Sequence, residues 1–313
     1  MKKAISMKLP VNQDSGASTG WRTFSPLRVI PAVLACLLAA FSSSLTIHAH
    51  AEAPRRIVSL APSITEILFA TGLGDRVVGV TTFCDYPEEA RGKTRIGGMS
   101  NPSLEAVVSL RPDMVLFTTD GNPREFEEKL SRMGIRTYVF ESLRIPELPG
   151  GIRNMGDALG ETERFSALAA RIEQRIEGLK KTGKGKQHSV LFIVWPEPLI
   201  VAGADTAVND ALNLLGARNI AAGAQGRYPK YSLEEIFHQS PDIIFIGKGE
   251  GMREISGGLL KRLSHVPAVK YGKVFYVSDR LFRLSPRAID GVEELAHYLR
   301  GEDAVPDGPG NGE

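Results

Sequence analysis

The sequence predicts an α/β protein of two similar lobes joined by one long helix. Three observations carry this. Short apolar strands alternate with amphipathic helices over most of the 313 residues, the pattern of a largely parallel sheet. A sixteen-residue passage occurs twice, PSLEAVVSLRPDMVLF at 102–117 and YSLEEIFHQSPDIIFI at 231–246. Between the copies, residues 161–181 contain no proline and set Phe165, Leu168, Ala169, Ile172, Ile176 and Leu179 on one helical face. The repeat has too long a period for a solenoid, so it reads as a duplicated lobe, with the long helix as a strut.

Residues 56–60 (RIVSL) are short and β-branched, a strand. Ser63-Ile64-Thr65-Glu66 follows as a capping box, the serine oxygen taking an amide three residues on and the glutamate reaching back. Ile64, Ile67 and Leu68 then recur at helical spacing, and Gly72 ends the helix. RVVGV at 76–80 is the next strand. Residues 105–110 suit a short helix that stops before Pro112, 114–118 a buried strand, 124–133 a helix closed by Gly134, and 135–140 another strand. After the strut, SVLFIV from Ser189 opens a second α/β run that continues to about residue 300. Each run has a leucine four residues before a glycine, Leu68 with Gly72 and Leu212 with Gly216. The first run also holds an insertion, CDYPEEARGKTRIGGM, that the second lacks. The expected boundaries are a leader at 1–51, a first lobe at 55–145, a linking helical segment at 146–187, a second lobe at 188–300 and a disordered tail at 301–313, rich in Gly, Pro and acid.

The leader has a basic start, an apolar run at 29–41 too short to span a bilayer, and Ala49-His50-Ala51 as a small-x-small cleavage site. This predicts export to the periplasm with cleavage after Ala51. The rival is lipoprotein processing at Cys36. The leader carries Lys2, Lys3, Lys8, Arg22 and Arg28 against one acid, Asp14, so its loss lowers the net charge from +2 to −2. That excludes an electrostatic case for nucleic acid. Only Cys84 then remains, so no intramolecular disulfide forms.

Catalytic signatures are missing. No Gly-x-Ser-x-Gly elbow occurs, GKGEG at 247–251 lacks the frame of a phosphate loop, and GLGDRVVG at 72–79 lacks the dinucleotide fingerprint. The histidines are scattered, which argues against a structural metal, and Cys84 reads as a semi-buried thiol. A binding protein remains, with its ligand between the lobes. Candidate lining comes from loops at strand ends: Phe83, Cys84, Asp85 and Tyr86; Trp195 to Pro198; Tyr228; and Asp279, Arg280 and Arg283. Aromatic surface with a few charges suits a large, flat, partly polar ligand.

In their order, RIVSLAPSITEILFATG, VGVTTFCDYPEEA, the two sixteen-residue passages and LSPRAI resemble the periplasmic substrate-binding proteins of ABC importers for vitamin B12 and iron-siderophores, over roughly residues 55–300. The resemblance implies two Rossmann-like lobes on a rigid helical backbone, a monomer, no enzymatic activity, and a permease and ATPase complex as partner. It implies that Glu105 and Glu234, the glutamates of the two Ser-Leu-Glu units, dock onto permease arginines. The twofold permease explains the repeat, although first-turn carboxylates also suit a helix N-terminus by themselves. For the ligand it implies a corrinoid, cobalamin, with no separate cofactor. Phe83 and Tyr228 match aromatic positions of the family, while Met99 and Thr118 stand where it has tryptophans. DRLFRLSPR adds arginines, which keeps an iron-siderophore, haem or another metal chelate open. An exported α/β hydrolase and a periplasmic sensor or scaffold are the rival classes.

Overall fold

In this computed structural model residues 53–182 and 187–301 are described. The leader, Cys36 and residues 302–313 lie outside them. The first lobe runs β1 (Ile57–Ser59), α1 (Pro62–Ala70), β2 (Val77–Val80), α2 (Glu88–Arg91), β3 (Thr94–Arg95), α3 (Leu104–Ser109), β4 (Met114–Thr118), α4 (Arg124–Arg132) and β5 (Arg136–Phe140). Its five strands are all parallel, in the order β3-β2-β1-β4-β5. The second lobe runs β6 (Ser189–Pro196), β7 (Leu199–Val201), α7 (Ala207–Leu214), β8 (Arg218–Asn219), α8 (Leu233–Gln239), β9 (Ile243–Gly247), α9 (Met252–Arg262), α10 (Pro267–Lys270), β10 (Val274–Val277) and α11 (Pro286–Leu299). Its order is β10-β9-β6-β7, with β8 beside the start of β6. β7 is antiparallel and the other pairings of this sheet are parallel, which fits the expected largely parallel sheet.

Both faces of each sheet are covered, and strand alternation shows it. In β9, Ile243 and Phe245 face the inner core while Ile244 and Ile246 face an outer one. β6 divides in the same way between Val190 with Phe192 and Leu191 with Ile193.

The repeated passage has a local cause at every step. Ser103 caps α3 by accepting the amide of Ala106 at 3.2 Å, and Ser232 caps α8 by accepting that of Glu235 at 3.1 Å. Each helix breaks at a positive-φ residue before the proline, Arg111 at 44° and Ser240 at 45°. The aspartate after that proline then fastens the central strand. Asp113 accepts the amides of Arg55 and Arg56 at 2.8 and 2.9 Å, and Asp242 accepts the amide and hydroxyl of Ser189, both at 2.8 Å. The Leu-x3-Gly units also match. Leu73 donates to Leu68 at 2.8 Å and Ala217 to Leu212 at 2.9 Å, around Gly72 (φ 77°) and Gly216 (φ 71°).

The expected long helix joins the lobes, preceded by a shorter one. α5 (Leu148–Leu159) packs along the strut, α6 (Thr162–Thr182). All six residues of the expected apolar face of α6 are buried. A single apolar core runs from Ile57 and Leu68 through Phe165 and Ile172 to Phe192, Ile289 and Leu295. Arg175 of α6 ties the strut to α11 by ion pairs to Asp290 (2.6 Å) and Glu293 (2.8 Å).

The capping box expected at residues 63–66 does not form. Pro62 opens α1 after Ala61, which supplies no side-chain cap. Ser63 therefore falls inside the helix. Glu66 is buried and bonded to the far lobe instead.

Candidate functional site

In both sheets the strand order reverses beside the central strand, β1 or β6. The crevice at the carboxyl ends of the strands there is where open α/β sheets bind ligands. In the first lobe Asn122 holds this rim together. Its side chain donates to the carbonyls of Leu60 (2.9 Å) and Met99 (3.0 Å) and accepts the amide of Thr118 (2.8 Å). Met99 is half-buried against the core.

The loop after β2 turns one side chain in and its neighbours out. Cys84 is fully buried, not semi-buried, with its sulfur 3.2 Å from the Thr65 hydroxyl and 3.1 Å from that of Thr81. Burial pushes its thiol pKa up, the opposite of an activated cysteine. Arg95 pins the loop through the carbonyls of Thr81 (2.8 Å) and Cys84 (2.9 Å). Phe83 and Tyr86 are left 60% and 47% exposed.

In the second lobe β6 continues past the core, so Trp195 stands on the strand rather than in a loop after it. It pairs with Ile200 of β7 and is 41% exposed, and its indole N–H donates to the Glu197 carbonyl at 2.7 Å. Tyr228, 44% exposed, sits on a loop laid against Gly203, whose amide donates to the Arg227 carbonyl at 2.8 Å. A Cβ at Gly203 would meet the Gly226 carbonyl oxygen at 2.4 Å, so only glycine permits this approach.

Charged groups join the lobes. Arg283, expected among the ligand residues, is engaged by protein carboxylates: Asp85 at 2.5 Å, Asp279 at 3.5 Å and the buried Glu66 at 3.7 Å. Asp279 opens a 3-10 turn, Asp279–Phe282, and is exposed apart from this pairing. The Arg287 guanidinium lies 4.0 Å from the centre of the Tyr86 ring. Further along, Arg227 meets Asp120 at 3.1 Å. Arg144 grips Asp210 through both carboxylate oxygens, and the Ile145 amide joins them at 3.1 Å. Burial pushes the Glu66 carboxyl pKa up, with Ser285 and the two arginines offsetting only part of the rise. Burial acts on Asp85 in the same direction, but the hydrogen bond and charge of Arg283 prevail and hold it below its ordinary value.

Glu105 and Glu234 are both exposed, each in the first turn of its helix. A separate hollow of about 620 Å³, lined by Tyr138, Glu141, Glu147 and Asn154 among others, includes none of the predicted site residues. Among the described residues no group of His, Cys, Asp and Glu is placed to hold a metal ion, and no helix is long and apolar enough to cross a membrane.

Sequence reasoning missed Glu66, Asp120, Asn122, Arg227 and Arg287. Arg287 stood inside LSPRAI, and Glu66 was absorbed by the capping pattern. The other three left no recognised local signal: Asp120 and Arg227 pair with each other 107 residues apart, and Asn122 reaches Leu60 and Met99 as well as nearby Thr118.

Residues 57–281 match the family model described as periplasmic binding protein. The chain belongs to the periplasmic binding protein family. It is 35% identical, over 79% of its length and 80% of the relative's, to the uncharacterized ABC transporter substrate-binding lipoprotein YvrC of Bacillus subtilis. Its structure is similar to that of the periplasmic vitamin B12 binding protein BtuF of Vibrio cholerae, with TM-score 0.71, 26% identity, and coverage of 79% of this chain and 97% of the other. It is equally similar to the periplasmic heme-binding protein RhuT from Roseiflexus sp. RS-1, with TM-score 0.71, 28% identity, and coverage of 79% and 98%. This periplasmic binding protein thus has the two-lobe, helical-backbone fold of the vitamin B12, haem and siderophore class, whose members bind and transport rather than catalyse.

Proposed function

We propose that this protein is exported, captures a corrinoid between its lobes and delivers it to an inner-membrane ABC importer. One observation carries the reading: four large aromatic side chains stand exposed, Phe83 and Tyr86 on the loop after β2, Trp195 at the end of β6, and Tyr228 on the loop laid against Gly203 after β7. Exposed aromatics grouped beside a cleft mark a binding surface, and their flat faces suit a macrocycle. The Ala49-His50-Ala51 leader supports export, and the lipoprotein name of the Bacillus subtilis relative makes acylation at Cys36 the alternative way of holding the protein at the membrane. Glu105 and Glu234 serve as the permease-docking pair. They are exposed, carry the same caps and occupy equivalent places in the two lobes.

The test is a binding titration of the purified protein with cyanocobalamin, with haemin as a second probe. Cyanocobalamin should bind more tightly. Trp195→Ala should weaken it by about 1–3 kcal/mol, a usual loss for a contact aromatic, while the melting temperature holds. Preference for haemin would move the ligand to an iron chelate, a reading favoured by Arg227 beside Tyr228 at the same rim. Binding of neither probe would overturn both.

A further inference from the structure

Glu66 is bonded across to the second lobe. It lies in α1 among the core residues Ile64, Ile67 and Leu68, and it is 3% exposed. A carboxylate in such a place is costly unless it is paired and hydrogen-bonded. Among the described residues its side-chain hydrogen-bond and ion-pair partners come from the other lobe. The Ser285 hydroxyl donates to it at 2.5 Å, Arg287 at 3.3 Å, and the Arg283 guanidinium lies 3.7 Å away. Each arginine has a second engagement with the loop after β2. Arg283 goes on to Asp85, and Arg287 covers Tyr86.

We propose that Glu66 is the positioning residue of the cleft floor: it fixes Arg283 and Arg287, and through them seats the Asp85–Tyr86 loop of the first lobe against the turn that enters α11 of the second. The four contacts form a chain, from α1 to the two guanidiniums and from these back to the first lobe. Asp85 is half-exposed, and a solvated ion pair holds little by itself. The buried end of the chain supplies the constraint. With Glu66, Asp85 and Asp279 around Arg283, and Glu66 and Tyr86 around Arg287, both guanidiniums are committed. An incoming ligand therefore meets an aromatic face at this wall and not an unpaired cation. The device does not depend on which ligand is captured.

Hydrogen exchange on the full chain without ligand tests it. Glu66→Gln keeps the shape and removes the charge. It should make the amides of residues 278–287 and 83–86 exchange about tenfold faster, while β1, β4, β6 and β9 keep their protection, as expected for a local opening. Equal loss in all strands would make Glu66 a core residue only, and unchanged exchange in both segments would also overturn the proposal. Ser285→Ala leaves every charge in place and should give a weaker version of the same pattern. It stands in if Glu66→Gln fails to fold, and unchanged exchange in this variant would then overturn the proposal. Asp85→Asn separates positioning from packing. If Glu66 acts through Arg283, the Glu66→Gln and Asp85→Asn effects on residues 83–86 are non-additive. Simple addition would refute the chain.

Discussion

Where the first lobe starts its central strand, Asp113 takes the amides of Arg55 and Arg56; where the second starts its own, Asp242 takes the amide and hydroxyl of Ser189. The serine caps, the positive-φ break before Pro-Asp and the glycine-ended helices match as closely. The lobes part company at the carboxyl ends of their strands. The first inserts α2 and β3 there and displays Phe83 and Tyr86, while the second folds β6 back into β7 and displays Trp195. The duplicated parts are thus scaffold and the divergent parts are the proposed site. The repeat, explained from sequence by permease docking, has a sufficient structural reason in its Pro-Asp half. Docking rests on the two glutamates alone.

The largest effect expected from disturbing this symmetry is on transport. Glu105→Lys together with Glu234→Lys should abolish uptake, because like charges across an interface cost several kcal/mol. Ligand affinity and melting temperature should stay as they were. A double variant that transports normally removes docking from the repeat. Next come the fastening aspartates. Asp242→Ala should cost about 2–3 kcal/mol in urea unfolding, and Asp113→Ala about 1, because Asp113 is exposed and Asp242 half-buried. The reverse order would mean that the two strand starts are not equivalent. Gly72→Ala and Gly216→Ala should then cost nearly the same, about 1–2 kcal/mol each, for a side chain in the left-handed region. Unequal costs would break the match of the two helix ends.

The smallest effect separates the lobes by pH. Asp85 titrates below its ordinary value of 3.8 because Arg283 outweighs burial. A carboxyl depressed in the native state stabilises that state above its unfolded pKa, and the contribution disappears as pH falls through the native one. Acid exchange measurements should therefore show the loop at residues 83–86 loosening before the β6–β7 hairpin, and Asp85→Asn should shrink that difference, leaving the part that protonation of the raised Glu66 carboxyl produces.

How far the sequence can be read follows the same division. Strands, helices, caps and glycine stops are set by residues a few places apart, so the alternation and the two Ser-Leu-Glu helices were legible. The apolar face of the strut was legible for the same reason. β3 is two residues long and leaves no periodic trace. Trp195 read as a loop residue because Pro196 and Pro198 follow it, yet the hairpin keeps the strand going through Pro196. Glu66 satisfied a local pattern while its real partner lay 219 residues away. Arg283 was visible as a cation near the cleft. That it answers Asp85, 198 residues distant, was not, because nothing local records such a pairing.

The distance from Glu66 to Ser285 also bears on the order in which the chain can fold. Closing so long a loop is entropically unfavourable unless intervening structure has already drawn its ends together. Among the described residues α1 is one of the first elements in the chain and α11 is the last. Until the turn that carries Arg283 and Ser285 and the helix that follows it arrive, Glu66 lacks all three of its partners, and the face of α1 that packs on α11 is uncovered. The first lobe is thus finished by the end of the second, and a chain cut before Arg283 should accumulate as a partly folded species that binds a hydrophobic dye.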